Sequence, residues 1–366
     1  MTARTIRLPS GAPFRRLVGV GGIGTGMFLA VEGDRTIGRS ESRAGRLLDI
    51  RDYCKLHTVS HHVATLLGAR PSGDPFHVVP VGAVGSDEAG SRLVAEMAAA
   101  GMDVGHVRTA AGMPTLFSVC FQYPDGAGGN ITTVDSAAAT LSAADVEGAA
   151  ELLDPGTIAL AQPEVPIEQR RRFLQVAGDR NALRVASFVS LELDEARSTG
   201  LFDLVDLVSL NEHEAATVAG ADLHPSDPAP FLRRCAAAFG GSAGSSARGV
   251  RVVVTVGDAG AYAIEGHRWG YRPAPKVEVV STAGCGDALL AGVLIALAAG
   301  VPFLGDARHP RIDDAVGFGV VLASLNATSP HTIHPEADVS AVLELGRRCD
   351  LMFVGALGHA LGGVDG

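Results

Sequence analysis

From residue 142 onward, apolar runs of helical period alternate with short strand-like runs. That rhythm narrows the fold more than any other feature of the chain. "SAADVEGAAELL" reads as a helix with Ser142 as its N-cap, "TIALAQ" as a strand and "PIEQRRRFLQVAG" as a helix. "LRVASFV" is a strand, "LFDLVDLVSL" runs into another, and "NEHEAATVAG" is a helix. "GVRVVVTVG" and "GAYAIEG" close the series as strands. Parallel neighbours need a crossover, and the crossover helix covers the sheet. The alternation therefore predicts an α/β fold with a mostly parallel sheet covered on both faces.

Upstream, Arg16–Val20 reads as a short buried strand and Val59–Leu67 as a helix ending at Gly68. "FHVVPVGAVG" (76–85) is a strand and turn, and "DEAGSRLVAEMAAAG" a helix stopping at Gly101. Residues 33–56 are polar and fit no period. Two zones, near 20–50 and 105–135, fall outside the rhythm, and the second surrounds the hairpin chemistry of "PDGAGGN". They are expected to build a small lid on a single domain spanning residues 1–366. "FGGSAGSSARG" (239–249) is expected to be a surface loop and the final "GALGHALGGVDG" to be frayed.

Composition removes several function classes. Hydrophobic residues make up 47% and charged residues 19%, which suits a folded core. A net charge of −10 with no long Lys/Arg run disfavours nucleic acid and anionic membrane as partners. Five scattered cysteines (Cys54, Cys120, Cys235, Cys285 and Cys349) without a C-x-x-C point to a reducing, cytoplasmic setting. The run "RRLVGVGGIG" is too glycine-rich and too soon charged for a secretion signal. Ala288–Gly305 is interrupted by Gly292, Gly300 and Pro302, so a buried helix is expected there and not a membrane span.

The strongest chemical signal is "VVSTAGCGDALLAGVLIALAAG" (279–300), read as a strand ending at Val280, a glycine turn and an apolar helix. Amides at a helix start lack intrahelical partners, and glycines let an anion approach them. Gly284, Cys285 and Gly286 are thus candidate stabilisers of a moving phosphoryl group. Asp287 is the candidate base for an attacking hydroxyl. A first-turn carboxylate is also favoured by the helix dipole alone, so the local pattern leaves both readings open. Asn211 and Glu214 are three apart at a helix start after a strand. An amide and a carboxylate there suit the water shell of Mg²⁺, although Asn211 also fits a plain N-cap. "TVGDAG" offers Thr255, Gly257 and Gly260 as a nucleotide-contacting turn, or an ordinary β-turn.

Taken together, "STAGCGD", "NEHE", "TVGDAGAY" and "VGAVGSDEAGSRLVAEMAAAGMDV" (81–104) resemble the motifs of the ribokinase-like (PfkB) carbohydrate kinases. The resemblance covers roughly residues 17 to 345. It implies a three-layer α/β/α sandwich with a small β-lid and transfer of the γ-phosphate of ATP to an alcohol. It implies Asp287 as base and Gly284, Cys285 and Gly286 as anion hole. Asn211 and Glu214 would organise Mg²⁺, and Asn211, Thr255, Gly257 and Gly260 would lie beside ATP. It implies a substrate-contacting Glu164 in "ALAQPEVP", and lid-mediated homodimers are common in such kinases. A nucleoside kinase, or a silent sugar-sensing protein on the same scaffold, are the alternatives.

Departures from the pattern are local. Ser281 stands where an Asp linked to a monovalent cation is usual, which leaves potassium activation open. Cys285 replaces an Ala, and a thiol at a helix N-terminus is expected to have a lowered pKa and to react. No Asp follows the first strand before Asp34, and "DYCKLHTVSHHVATLLGA" replaces a Gly-Gly…Asn pattern. There His57 and His61 are spaced i, i+4 as for a metal pair, yet no third ligand is evident. Contacts to substrate, or a solvated helix face, are the other readings of His57, Ser60, His61 and His62. Gly19-Val20-Gly21-Gly22-Ile23-Gly24 fits G-x-G-x-x-G, the mark of a nicotinamide dehydrogenase. "TGMFLAVEG" is too short for the required helix, and no second strand with an acidic end follows. Gly21 and Gly22 are read instead as an acceptor-side wall, bare to leave room for a ligand or the lid.

Overall fold

The computed structural model describes residues 4–124, 128–239 and 249–362. Its main sheet has nine strands. In chain order they are β1 (Arg16–Val20), β4 (His77–Gly85), β5 (Val107–Ala110), β8 (Thr157–Ala161), β9 (Leu183–Ser187), β10 (Leu207–Asn211), β11 (Arg251–Thr255), β12 (Gly260–Glu265) and β13 (Arg268–Pro273). The spatial order is β13-β12-β11-β10-β9-β8-β1-β4-β5. The seven strands from β11 to β5 run parallel, and the β12–β13 hairpin adds an antiparallel edge.

Alternation along the strands builds two cores. Leu17, Val78, Leu160, Val185, Leu207 and Val253 point to one face. There they meet α1 (Lys55–Leu67), α2 (Glu88–Ala99), α8 (Cys285–Ala298), α9 (Ala315–Asn326) and α10 (Val339–Arg348). Val18, Val79, Ala161, Ala186, Val208 and Val252 point to the other. They meet α3 (Ala143–Gly148), α4 (Ile167–Asp179), α5 (Leu193–Ser198), α6 (Glu212–Ala219) and α7 (Ala229–Ala238). Strands buried on both sides read as continuous apolar runs, and here the outcome is the expected three-layer sandwich. Helix α8 follows the same logic: it is apolar all round and buried from Ala288 to Ala298, between the sheet and α9. No helix among the described residues is long and apolar enough to cross a membrane.

A second sheet has the order β3-β2-β6-β7, from β2 (Gly24–Val31), β3 (Gly45–Tyr53), β6 (Leu116–Gln122) and β7 (Gly128–Thr132). Parts of both irregular zones form it, but β5 belongs to the main sheet. Residues 125–127 of "PDGAGGN" and 240–248 of the expected surface loop lie outside the described residues.

Three local expectations change. The residues before the glycine turn are not a strand: β13 ends at Pro273, and Val279 and Val280 are exposed. "SAADVEGAAELL" breaks after α3 into a 3₁₀ turn, though Ser142 does cap it in a capping box with Asp145. The tail is not frayed up to Gly362. Helix α11 (Gly355–Ala360) forms there, and Leu357 and Ala360 are buried.

Candidate functional site

At the carboxyl edge of the parallel strands lies a cleft of about 1090 Å³. It is bounded by Asn211 and Glu214, by Thr255, Gly257 and Gly260, and by Gly284, Cys285, Gly286 and Asp287. Register explains the meeting of distant segments. Asn211 ends β10 directly opposite Thr255, the end of β11. Ligands of open α/β sheets bind at this edge.

Gly284 is the N-cap of α8 at φ +74°, and a Cβ there would collide with the Thr332 carbonyl. Only glycine serves both conditions, and the turn aims the first amides of α8 into the cleft. Of the expected trio, the Cys285 amide donates to the Thr282 carbonyl at 3.3 Å. The Cys285 side chain overturns one expectation. Burial pushes its thiol up to about 11, and Sγ lies 3.7 Å from the Ser281 carbonyl oxygen. Desolvation outweighs the helix dipole and keeps the group protonated as a thiol.

Asn211 and Glu214 form a reciprocal capping box. The Glu214 amide donates to Asn211 Oδ1 at 2.8 Å, and the Asn211 amide to Glu214 Oε2 at 2.9 Å. The only acceptor oxygen of the Asn211 side chain is therefore used by the helix. Of the expected metal-organising pair, Asn211 Oδ1 and Glu214 Oε2 each accept a backbone N–H of the box, and Glu214 Oε1 takes no part in it. Among the described residues no group of three or more His, Cys, Asp or Glu side chains is arranged to hold an ion directly.

Lys55, which the sequence reading passed over, opens helix α1, and its Nζ lies 3.5 Å from Asp287 Oδ1. The carboxylate of Asp287 raises the pKa of this ammonium, against the pull of burial. A lysine in a first helical turn opposes the dipole, and no acidic residue shares that turn. That mismatch was the available signal.

Around Gly21 and Gly22 one of the two expected occupants is present. The space over Gly22 is filled: a Cβ there would stand 2.6 Å from Glu164 Cβ and 3.0 Å from Leu116 Cδ2. A Cβ on Gly21 would meet Gln162 Cβ at 2.7 Å. Of the two occupants expected here, a ligand or the small sheet, the contacts are with Glu164, Gln162 and the first residue of β6 in that sheet. The glycine amides are tied to protein on both sides, Gly21 donating to the Val81 carbonyl of β4 at 3.4 Å and Gly22 to the Pro163 carbonyl after β8 at 3.0 Å. "TGMFLAVEG" is mostly strand β2, which removes the helix that a dinucleotide fingerprint requires.

Near Glu164 lie Asp52, Cys54 and Cys120. Burial, then the charge of Glu164, pushes the Asp52 carboxyl up to about 6. Burial likewise raises Glu164. The histidines do not form a solvated face. His57 and His62 are fully buried, and burial drives His57, His61 and His62 down to about 3, 4 and 3. They are neutral imidazoles, and none of them lines the cleft.

The sequence matches the model of the pfkB family carbohydrate kinases over residues 62–338. No curated protein matches it. Solved structures with the same fold include the ribokinase of Giardia lamblia, at 15% identity and TM-score 0.69, covering 90% of this chain and 99% of that one. The Arabidopsis thaliana ribokinase complexed with ribose and ATP shows 19% identity and TM-score 0.65, over 91% and 98% of the two chains. A Burkholderia thailandensis nucleoside kinase in complex with inosine shows 14% and 0.66, over 92% and 99%.

Proposed function

The chain belongs to the pfkB family of carbohydrate kinases, and from that premise we propose that it moves the γ-phosphoryl group of ATP to a hydroxyl of a sugar or sugar-like alcohol. The observation that carries this reading is the position of Asp287. It sits in the first turn of α8, in one cleft with Thr255, Gly257 and Gly260 and with Lys55 at 3.5 Å. Asp287 takes the hydroxyl proton while the acceptor oxygen bonds to the γ-phosphorus. The bond from that phosphorus to the β,γ-bridging oxygen breaks, and ADP leaves. The free amides of Gly284 and Gly286, with the Lys55 ammonium, stabilise charge on the phosphoryl oxygens. Thr255, Gly257, Gly260 and the Asn211 side-chain amide face the nucleotide. Mg²⁺, when bound with ATP, would supply charge neutralisation at the phosphates, and Glu214 would hold its water shell through Oε1.

In the same reading the four-stranded sheet is a lid over the acceptor. Its outward face carries Met27, Leu47 and Ile131, all exposed, and suits a second copy of the chain. The setting is cytoplasmic, and potassium is not assigned a site.

The deciding experiment is phosphate transfer from ATP to a panel of sugars, polyols and nucleosides. Turnover of a sugar or polyol is expected, lost on addition of EDTA and reduced about 10²–10⁴-fold in Asp287→Asn. Thermal shifts with sugars but no turnover would instead mark a sensor. Preference for NAD(H) over ATP would sink the proposal.

A further inference from the structure

Helix α9 is apolar almost throughout, yet its last residue is an asparagine only 1% exposed. A buried side-chain amide is costly unless its donors and its acceptor are engaged, so its partners show what it holds. Asn326 Nδ2 donates to the Ala283 carbonyl at 3.2 Å and to the Thr332 carbonyl at 3.3 Å. Its Oδ1 accepts the His334 amide at 2.9 Å. All three partners are backbone. One belongs to the glycine turn before α8. The other two belong to the segment that packs over it, whose Thr332 carbonyl forbids a Cβ on Gly284.

The rest of the turn is tied by neutral groups as well. Ser281 Oγ accepts the Ala283 amide at 3.2 Å, so side chains hold both polar backbone groups of Ala283. The Thr282 carbonyl takes the Cys285 amide at 3.3 Å, and the Ser281 carbonyl has the Cys285 thiol at 3.7 Å. The Ala327 carbonyl, next to Asn326, accepts the Val280 and Ser281 amides at 2.8 and 3.2 Å. On the far side, the Thr332 hydroxyl accepts the Tyr53 amide at 3.0 Å, two residues before Lys55. One asparagine thereby joins the turn that leads to Asp287 with the segment that leads to Lys55. Position 281 is where an Asp linked to a monovalent cation is usual, and the residues here do not fit that ion. Ser281 brings no charge, and its Oγ is used inside the turn. Cations and N–H donors compete for the same carbonyl oxygens. Here each carbonyl from 281 to 283 already faces a protein donor, and the Asn326 amide stands between the Ala283 and Thr332 oxygens.

We infer that Asn326 is the positioning residue of this turn, that its neutral amide does what a bound cation would do, and that the chain works without potassium. The inference rests on the reading of the turn as the site of phosphoryl transfer. Asn326 does not line the cleft and acts only through the turn it holds. Its two N–H groups meet two carbonyl oxygens that would otherwise be buried side by side without a positive partner. With both held, Gly284 keeps the conformation that aims the first amides of α8 into the cleft.

The test uses the full chain, Asn326→Asp and Asn326→Leu, in potassium, sodium and tetramethylammonium chloride at equal ionic strength. Melting is read by calorimetry and turnover by phosphate transfer from the Tris salt of ATP. Wild-type turnover should agree within about twofold in the three salts, and its melting temperature should not depend on which is present. Asn326→Asp keeps the size of the side chain but turns a carboxylate toward two carbonyls, which creates a demand for a cation. It should melt lower than the wild type in tetramethylammonium and regain about 2 °C in potassium, the shift for one ion at about ten times its Kd. Its turnover should rise at least about 10-fold on the same change of salt. Asn326→Leu keeps an apolar body of similar volume and loses both donors. Its kcat should fall at least about 10-fold in every salt, with ATP KM within about threefold. A purely structural role would lower its melting temperature and leave the kcat of the folded protein unchanged. Wild-type turnover raised more than about twofold by potassium, full kcat in Asn326→Leu, or an Asn326→Asp indifferent to potassium in both readings overturns the inference. Should Asn326→Asp not fold, the wild-type salt series and Asn326→Leu decide. Absence of turnover with every acceptor removes the phosphotransfer reading, while the melting of wild type and Asn326→Asp in potassium still decides whether the amide stands in for the ion.

Discussion

At the scale of single residues, Asp287 and Lys55 show how differently two charges announce themselves. Asp287 is flanked by a glycine turn, so its chemistry is visible in the local string. Lys55 has no such frame. Its meaning comes from α8, which brings a carboxylate to 3.5 Å of a side chain more than two hundred positions away. Replacing it by Met removes a positive charge from the cleft while keeping the aliphatic stem. Lys55→Met is expected to lower kcat about 10²-fold with a smaller change in acceptor KM, measured by steady-state kinetics. Retention of full kcat would remove Lys55 from the charge-stabilising set. Cys285 makes the opposite point: its place at a helix start suggested reactivity, and burial cancelled it.

At the scale of elements, helix starts carry most of the site. Helix α6 begins with the Asn211–Glu214 box, which both satisfies the helix and holds a carboxylate at the edge of the cleft. Asn211→Ala should cost about 1 kcal/mol of stability and free Glu214 from its geometry. The expected readings are a lower melting temperature and a higher Mg²⁺ requirement for turnover. Asn211→Asp keeps the cap oxygen and should restore the melting temperature. If alanine leaves both unchanged, the box is not what positions Glu214. The apolar period places the start of helix α1 at Val59, but the helix starts at Lys55, because its polar first turn hides the apolar stripe. The strand expected before the glycine turn failed for a related reason. Val279 and Val280 look like strand, yet the Val280 amide donates to the Ala327 carbonyl after α9 and not to a strand, and both side chains stay exposed.

At the scale of the whole molecule, burial of titratable groups sets the response to acid. His57, His61 and His62 have folded pKa values of about 3, 4 and 3, below the usual value near 6.5. The unfolded chain therefore binds more protons between these limits. Their burial as neutral rings is fully tolerated above about pH 6.5, and stability is lost as pH falls toward 4. Asp52 acts in the opposite sense, because its raised pKa favours the folded state as pH falls toward 6 and below. Glu164 and Glu214, also raised by burial, act with Asp52, and the three histidines should outweigh them because their loss begins at higher pH. The melting temperature is expected to fall steadily from pH 7 to pH 4.5. His62→Gln should make that fall shallower, and an unchanged slope in differential scanning calorimetry would exclude His62 from the effect.

The sequence alone determined the parallel α/β sandwich, since strands buried on both faces must read as apolar runs between helices. It also determined the pieces of the main cleft, because helix starts and glycine turns are local chemistry written in consecutive residues. Tertiary structure decided the acceptor side. Asp52, Cys54, Lys55, Cys120 and Glu164 come from two strands of the small sheet, a helix start and the end of a distant strand. No spacing along the chain records that they meet. It decided the protonation of Cys285 and of the histidines as well, because desolvation depends on what packs around a group and not on its neighbours in sequence. It filled the space over Gly22 with Glu164, turning an apparent ligand wall into the packing that holds a strained carboxylate in place.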